Sequence, residues 1–486
     1  MRNSLRQSWW CALAALSVAG AAAAREWWAP GDGKPLPAEA SYANAAGAVG
    51  ILNEAGAIDT RKHPFFAPLG PNGRACVTCH QPGDGMALSV ETVRERWAAT
   101  GGDDPLFAAV DGRNCPNLPA RDASGAPLPV EFTLEVVRDP TGCNTDPKYG
   151  VGSPQPTVSV YRRPRPVANT KYLTHSNFGV GPFIAKSGLP AVRDPDTGLP
   201  TSMNIMADAR APTLKAQAQD AARSHLELPQ GLAPGALAGI VAFEQQLYAA
   251  QVRDAAAGDL AEPGGPAGFG PRNLAAEPAG VLGNNTSRYV FPVGDVWRSA
   301  PSGGPTSAQE AARAAIVRGH DVFMFRTFFI RDSMHLNSVG LGNPVKRTCS
   351  TCHGMHMTGM DVANGWMDIG TTNLPWAREA PRNPWTTEKP ELPLFKITCR
   401  ADLPPHPFLG RVIYTQDPGR ALISGKCNDV GAIVMQQFRG LAARAPYFSN
   451  GSAATLRELV DFYDRRYDIG YSEQEKQDLV AFLGAL

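Results

Sequence analysis

Apolar residues recur at helical spacing in four stretches of the chain, which predicts four helices. One runs from Pro234 to Ala256 and another from Thr455 to Asp464. The other two begin with a serine followed three residues later by a glutamate, at 307–310 and at 472–475. In such a capping box the serine side chain binds the first turn and the glutamate binds back, so each box predicts a helix start.

Turn-forming residues dominate the rest of the chain, which contains 49 glycines and 43 prolines. Residues 81–205 form a long turn-rich stretch. Its best strand candidate is Val130–Val137, where residues alternate with period two, and we predict one arm of a small β-hairpin there. Residues 258–305 are rich in glycine and proline and are predicted to link two halves of the chain. The predicted fold is therefore mainly α, with long loops and a small β-hairpin insertion.

The length of 486 residues exceeds what one core usually holds, so we predict two domains. Residues 1–24 have the pattern of a secretory signal peptide, because Arg2 and Arg6 precede an apolar stretch that ends in small residues. Cleavage of this segment would place the protein in the periplasm, with a retained N-terminal anchor as the alternative. No later segment offers about 20 apolar residues, so we do not expect a membrane-embedded protein.

The charge balance argues against one class of function. The chain has 46 basic and 45 acidic residues and a formal net charge of +1. Proteins that bind nucleic acid usually carry a basic patch or run that attracts the phosphate backbone. We therefore do not expect a nucleic-acid partner.

Two C-x-x-C-H pentapeptides carry the strongest chemical signal. Their functional residues are Cys76, Cys79 and His80 in the first and Cys349, Cys352 and His353 in the second. In this motif two thiols add across the vinyl groups of a haem, and the histidine takes one axial position on the iron. A zinc site is the alternative, but it needs four ligands and would have to combine pentapeptides about 270 residues apart. We predict one covalently bound haem c in each half of the chain.

Four cysteines remain once the haem thiols and Cys11 are set aside. They form two local pairs with the same spacing, one in each half. Oxidising compartments favour disulfides, and local pairing keeps each bridge within one domain. Among three connectivities we therefore favour Cys115–Cys143 and Cys399–Cys427, with buried free thiols as the alternative.

Two further blocks accompany the haem motifs. Residues 208–218 read DARAPTLKAQA and residues 445–456 read APYFSNGSAATL. These blocks are similar to the DGRAxxLxxQA and APYF blocks of the bacterial dihaem cytochrome c peroxidase and MauG superfamily. With both haem motifs and both blocks, the chain resembles that family.

The resemblance implies two cytochrome c-like haem domains, one for each motif. A peroxidatic domain would cover residues 25–257, with 81–205 as an insertion, and an electron-transfer domain would cover residues 306–486. Residues 258–305 would join them. The implied partners are hydrogen peroxide and a small redox protein or other electron donor.

The resemblance also implies the second axial ligand of the C-terminal haem. Peroxidases of the family place a methionine at a fixed distance after the APYF block, and MauG-like members place a tyrosine there. In this chain the position is Tyr463, which shares a helix face with Leu456 and Val460 and so points inward. A core tyrosine bonded elsewhere is the alternative. Rival ligands are Met355, His356, Met357, Met360, Met367 and Met435.

At the N-terminal haem, family peroxidases block the iron with a histidine until reduction releases it. No histidine lies between His80 and His175, so we predict an open iron face that peroxide can reach. Aligned from the DGR-like block, the family's pocket glutamine falls on Gln217 and its acid–base glutamate on Glu227. A carboxylate can carry a proton between the two peroxide oxygens, and an amide can orient them. His225 could contribute as well.

Two family features match less well. Family members place a tryptophan just before the DGR block to relay electrons between the haems, and this chain has Ala207 there. The family also binds calcium between its domains, largely through backbone carbonyls, and the matching positions are Arg444 and Pro446. The resemblance therefore implies a Ca²⁺ ion and a different electron path.

Together these features predict an exported dihaem c-type peroxidase, an oxidoreductase that reduces hydrogen peroxide at an open high-spin haem held by His80. A second haem held by His353 and Tyr463 would store an oxidising equivalent. Three alternatives stay open: a MauG-like oxidase that modifies a partner protein, a dihaem electron-transfer cytochrome, and a related oxygenase that cleaves hydrocarbon chains with dioxygen.

Overall fold

The chain forms helices, several small sheets and long loops. The computed structural model describes residues 26–108, 130–148, 150–154, 156–170, 205–266, 268–276, 295–298, 305, 307–334, 341–353, 366–373 and 388–486. Over these residues about 32% are helical and about 19% are in strands. The predicted mainly α class is therefore only partly right, because short strands take up more of the chain than the helical pattern indicated. The signal segment 1–24 lies outside the described residues and stays a prediction.

Ten α-helices form in the described part of the chain. They are α1 Val90–Thr100, α2 Leu214–His225, α3 Pro234–Gln245, α4 Pro271–Ala276, α5 Asp295–Arg298, α6 Ala308–Phe325, α7 Cys349–Cys352, α8 Ala421–Ser424, α9 Leu456–Tyr467 and α10 Glu473–Gly484. None of these helices is both long and apolar enough to cross a bilayer.

The strands are short and pair antiparallel. They are β1 Glu39–Asn44, β2 Gly47–Asn53, β3 Phe132–Arg138, β4 Leu247–Asp254, β5 Gly258–Asp259, β6 Phe328–Ile330, β7 Val345–Arg347, β8 Trp366–Met367, β9 Leu394–Cys399, β10 Val412–Thr415 and β11 Ile433–Val434. The largest sheet among them has the order β1-β2-β4-β5.

The first sheet corrects one predicted helix. Strand β4 begins at Leu247, directly after α3 ends at Gln245. The helix predicted to continue to Ala256 is therefore wrong beyond Gln245. These residues pair with β2 instead, with Tyr248 opposite Leu52. Pairing with a distant strand outweighs the local helical pattern.

A second sheet, with the order β10-β9-β3, corrects the predicted hairpin. Strand β3 confirms the strand predicted at Val130–Val137. Its partner, however, is β9 of the second half, with Leu134 opposite Ile397 and Glu135 opposite Lys396. The predicted β-hairpin insertion is therefore wrong in its pairing, because the inserted strand extends a sheet of the second half.

A disulfide links this second sheet to the loop behind it. Cys399 at the end of β9 is bonded to Cys427, and both cysteines pack in the core beneath the sheet with Phe132. The predicted Cys399–Cys427 pairing is therefore present in the structure. Cys115 lies outside the described residues, so its pairing with Cys143 stays a prediction.

The C-terminal helical core confirms three predicted helices. Ser307, Thr455 and Ser472 cap α6, α9 and α10, each accepting a hydrogen bond from the backbone N–H three residues later. Helices α6 and α10 cross closely at Gly319, where a Cβ atom would lie 1.9 Å from the Asp478 carbonyl oxygen. This packing holds α9 against the second C-x-x-C-H motif.

The N-terminal core packs α2 and α3 against the segment that leads into the first haem motif. Phe65 in that segment meets Phe243 of α3 with ring centroids 4.7 Å apart. Thr213 caps α2 by accepting a hydrogen bond from the Ala216 N–H. These contacts fix both helices beside the first C-x-x-C-H motif.

Part of the predicted linker is built into the fold. Leu260 and Phe269 are buried in the C-terminal core, and α4 packs on β2 and β4. The boundaries of the predicted domains stay predictions.

Candidate functional site

Each C-x-x-C-H motif folds into one tight turn. Residues Cys76–Thr78 form a 3-10 turn, and Cys349–Cys352 form α7. The backbone N–H of His80 donates to the carbonyl of the first cysteine of its motif at 3.1 Å, and that of His353 does so at 3.0 Å. The cysteines and the histidine of each motif line one cavity. This is the arrangement that covalent attachment of a haem requires.

The N-terminal cavity has a volume of about 450 Å³ and lies between the first motif, α2 and α3. Helix α2 contributes one face, made of Leu214, Gln217, Ala218, Ala221, Ala222 and His225. These positions recur at the spacing of three and four residues that defines a helix face. The structure therefore brings the predicted residue Gln217 into the same cavity as His80, and His225 lies there too.

A backbone carbonyl orients His80. Its Nδ1 lies 3.1 Å from the Met86 carbonyl oxygen, and donation to that oxygen leaves Nε2 for a metal. Burial lowers the pKa of His80 to about 4, although the hydrogen bond to Met86 acts in the opposite direction. The imidazole is therefore neutral at physiological pH, which is the form that binds iron.

The structure does not bring Glu227 into this cavity. Helix α2 ends at His225 and Leu226 forms its C-cap. Glu227 follows with a left-handed backbone, φ 54°, and an exposed side chain. Leu226 lines the cavity, so the register counted from the DGR-like block places Glu227 just beyond the wall.

A different carboxyl group, that of Glu244, does line the N-terminal cavity. The residue is 3% exposed, and its Oε2 has no hydrogen-bond partner among the residues that the structure describes. Burial raises the pKa of Glu244 to about 8, because a carboxylate loses its hydration there. Sequence reasoning missed this residue, although its spacing from Leu237 and Ile240 on the apolar face of α3 was an available signal.

The C-terminal cavity is lined mainly by apolar and aromatic side chains around His353. Phe438 stacks on the His353 ring with the centroids 4.4 Å apart. Among the described residues that line this cavity there is no carboxylate and no second histidine. The two cavities therefore differ in chemistry, although both contain the same motif.

Tyr463 lines the C-terminal cavity with His353. Its hydroxyl makes no hydrogen bond to any residue that the structure describes. Burial raises its pKa far above the ordinary value, and Tyr467 adds to the shift. A phenol in this position keeps its proton unless a cation binds its oxygen, so ligation of iron would require loss of that proton. Met367 and Met435 also line the cavity as rivals, whereas residues 355–360 lie outside the described ranges.

The cysteines of the motifs suit a zinc ion less well than they suit covalent attachment of a haem. Burial raises the pKa of Cys349 to about 11 and also raises that of Cys76. Zinc binds deprotonated thiolates and needs four ligands. In the ranges that the structure covers, no group of three or more His, Cys, Asp or Glu side chains could hold a metal ion. The side chains present fit covalent haem attachment better.

The DGR-like block forms part of the wall between the two halves. Asp208 is fully buried and pairs with Arg162 at 2.6 Å and with Arg210 at 3.0 Å. Burial by itself raises the pKa of Asp208, but these two arginines hold it at about 2. Arg162 also pairs with Asp417 at 2.6 Å. One guanidinium therefore joins a carboxylate of the first half to one of the second.

Ala207, at the position of the family's tryptophan, lies in the same wall. Its carbonyl accepts a hydrogen bond from the Val434 N–H at 2.8 Å. Ala207 lines the N-terminal cavity and Val434 lines the C-terminal one. Arg165 adds a second link, because it donates to the carbonyl oxygens of Met206 and Met435. The walls of the two cavities are therefore in direct contact.

The chain is similar to curated cytochrome c peroxidases over a short stretch. Cytochrome-c peroxidase IdrP1 of Pseudomonas sp. (strain SCT) is 38% identical over 81 residues, 14% of this chain and 21% of that protein. IdrP1 of Denitromonas iodatirespirans is 38% identical over 69 residues, 12% of this chain and 18% of that protein. The chain thus matches about a fifth of the length of these relatives.

The comparison with solved structures gives a distant match. A MauG-like protein associated with microbial copper homeostasis matches 87% of both chains at 16% identity, with a TM-score of 0.32. No family model matches the chain. The short matches to peroxidases are in line with the resemblance that the two haem motifs and the two blocks predict.

Glu244→Gln should make stability less dependent on pH. The pKa of folded Glu244 is about 8 against an ordinary 4.5, so unfolding releases a proton between these values and stability falls as pH rises through this window. Glutamine does not titrate. As pH rises through this window, the free energy of unfolding of the variant should therefore increase relative to that of the wild type, by at most about 1.4 kcal/mol per pH unit. Thermal unfolding at pH 4, 6 and 8 measures this, with Glu227→Gln as the exposed control. Parallel profiles for wild type and Glu244→Gln would contradict a buried neutral carboxyl.

Proposed function

We propose that the chain is a periplasmic dihaem c-type peroxidase that reduces hydrogen peroxide in the N-terminal cavity and stores an oxidising equivalent in the C-terminal one. The observation that carries this proposal is the different lining of the two cavities. Proton-exchanging side chains accompany His80 in the first, whereas the second pairs His353 with Tyr463 in apolar surroundings. The similarity to cytochrome c peroxidases supports the same assignment.

Reduction of hydrogen peroxide to two waters consumes two electrons and two protons. A haem held by the first C-x-x-C-H motif would supply the iron that passes electrons to the substrate. The side chains of the cavity handle the protons. The Gln217 amide can donate a hydrogen bond to a peroxide oxygen, and His225 on the same helix face can exchange a proton. Glu244, neutral below pH about 8, is a second proton source.

Glu227 is proposed as the acid–base residue on the strength of the resemblance and of its position beside the cavity wall. Its left-handed φ of 54° is the conformation common just after a helix end, where the Leu228 N–H donates to the Ala222 carbonyl oxygen at 3.2 Å. Its neighbour Leu226 already lines the cavity. The Glu227 carboxylate would have to turn past Leu226 to reach a bound peroxide.

In the C-terminal cavity, His353 and Tyr463 would hold the second haem iron. A phenolate is a hard, anionic donor that favours the higher oxidation states of iron over the lower ones. Storage of an oxidising equivalent needs this preference, and it needs little proton transfer. Electrons from a small redox protein would then return both centres to their resting state.

The proposal as a whole is tested on the haem-loaded ferric protein. Mass analysis should give two covalent haems per chain, and the EPR spectrum should contain a high-spin ferric signal. Mixing with peroxide in a stopped-flow instrument, without prior reduction, should change the optical spectrum rapidly. A protein with only low-spin haem and no reaction with peroxide would refute the peroxidase.

A dihaem electron-transfer cytochrome is the second candidate, and the presence of His225 in the N-terminal cavity favours it. An imidazole bound opposite His80 would close the sixth position on the iron. In that case a high-spin signal should emerge only in His225→Ala, whereas a peroxidase should show it already in the wild type.

Two variants distinguish the proposed roles of Glu227 and Glu244. Glu227→Gln should slow peroxide cleavage by about 10²–10⁴ with haem content unchanged, because a general acid–base residue contributes that much. Glu244→Gln, which removes the second proton source, should slow cleavage much less. Stopped-flow kinetics at several pH values measure both. The reverse pattern would transfer the acid–base role to Glu244.

Tyr463→Phe should change the spectrum and raise the reduction potential of the second haem alone, because the variant removes an anionic ligand. Tyr467→Phe is the matched control, since Tyr467 lines the same cavity but its hydroxyl lies 3.1 Å from the Ser333 hydroxyl. That variant should lose a hydrogen bond and keep the wild-type spectrum. Spectroelectrochemistry resolves the two haems, and an unchanged spectrum in Tyr463→Phe would argue for a methionine ligand.

A further inference from the structure

Two buried arginines lie where the cavities adjoin. Arg163 lines both cavities, and Arg444, 3% exposed, lines the C-terminal one. Among the described residues, no carboxylate forms an ion pair with either guanidinium. The titratable groups that act on Arg163 from a distance are Tyr447 and Asp84. The junction therefore carries positive charge that no described carboxylate pairs.

Arg163 is held in place by hydrogen bonds, but some of its side-chain N–H donors are not used by the described residues. Its backbone N–H donates to the Ser449 carbonyl at 2.8 Å, and its Nη2 donates to the carbonyl oxygens of Leu88 and Arg444. A guanidinium has five N–H donors. Within the described chain Nε and Nη1 have no acceptor, so their three donors are available to a ligand in the adjoining cavities.

The missing partner should be an anion. Burial lowers the pKa of Arg163 to about 10 and that of Arg444 to about 9, so both stay charged at neutral pH. A buried cation without a counter-charge is costly, and a planar guanidinium binds carboxylates especially well. Each haem brings two propionate carboxylates. These are the anions that the two cavities would admit.

The calcium ion implied by the resemblance does not fit this junction. One of the two carbonyls assigned to it, that of Arg444, already accepts a hydrogen bond from Arg163. A divalent cation on that oxygen would lie beside the guanidinium, and like charges at such a separation repel. The part of the chain that the structure describes offers no cluster of acidic side chains as an alternative site.

We propose that Arg163 is a fixed cation shared by the two haems, which binds a propionate from each cavity and takes the place of an interdomain calcium ion. The proposal rests on haem binding in both cavities and not on peroxide turnover, so its readouts stay measurable if the proposed peroxidase activity fails.

The calcium part is tested on the wild type. Haem-loaded protein, purified and dialysed against EGTA, should contain calcium far below one ion per chain. Its optical and EPR spectra and both haem potentials should be unchanged by EGTA or by added Ca²⁺. Retained stoichiometric calcium, or a spectrum that depends on the chelator, would overturn the replacement of calcium by Arg163.

The shared-cation part is tested with variants. A positive charge beside a haem disfavours the ferric state, which carries one more positive charge than the ferrous state. Arg163→Gln removes this charge beside both haems, so both reduction potentials should fall. Arg163→Lys keeps the charge and should restore much of both potentials. Arg94→Gln, on the exposed face of α1, is the control and should shift neither, because solvent screens its charge. A shift of one potential only, or of none, refutes a shared cation.

Discussion

The arrangement of the two cavities depends on one buried guanidinium, that of Arg162, which pairs with Asp208 in the first half and with Asp417 in the second. All three side chains are largely withdrawn from water, where a charge is tolerated only if it is paired. Removal of one partner by mutation would leave a buried charge unpaired, at a cost of about 3–5 kcal/mol. The network therefore constrains how the halves meet, together with the hydrogen bond from the Val434 N–H to the Ala207 carbonyl.

The features that the sequence predicted well are those set by neighbouring residues. A serine with a glutamate three residues later marks the start of α10, because the cap bonds close within one turn. The C-x-x-C-H motif likewise needs only one turn to place two sulfurs and an imidazole together. The inward position of Tyr463 follows from helix spacing alone. In each case the deciding interaction spans a few residues.

The features that the sequence did not predict depend on distant partners. Residues 247–254 form a strand because β2 offers hydrogen bonds, and β3 joins β9 for the same reason. Glu227, placed by counting from the DGR-like block, lies one residue beyond the Leu226 wall, and its role stays a prediction. Glu244 was missed because a glutamate on a helix is usually solvated, and only packing of α3 against the first motif buries it.

The proposed roles of the two cavities follow from whether the side chains that line each cavity can transfer protons. Peroxide reduction needs protons delivered to oxygen, and the described lining of the N-terminal cavity contains an amide, an imidazole and a buried carboxyl for this purpose. The C-terminal lining described here has neither carboxylate nor second imidazole, so proton delivery to a substrate there would need outside water. An electron needs no such group, only contact between the walls, and the hydrogen bond from the Val434 N–H to the Ala207 carbonyl provides contact without a tryptophan. Under the proposed function, proton chemistry would thus stay in one cavity while both could exchange electrons.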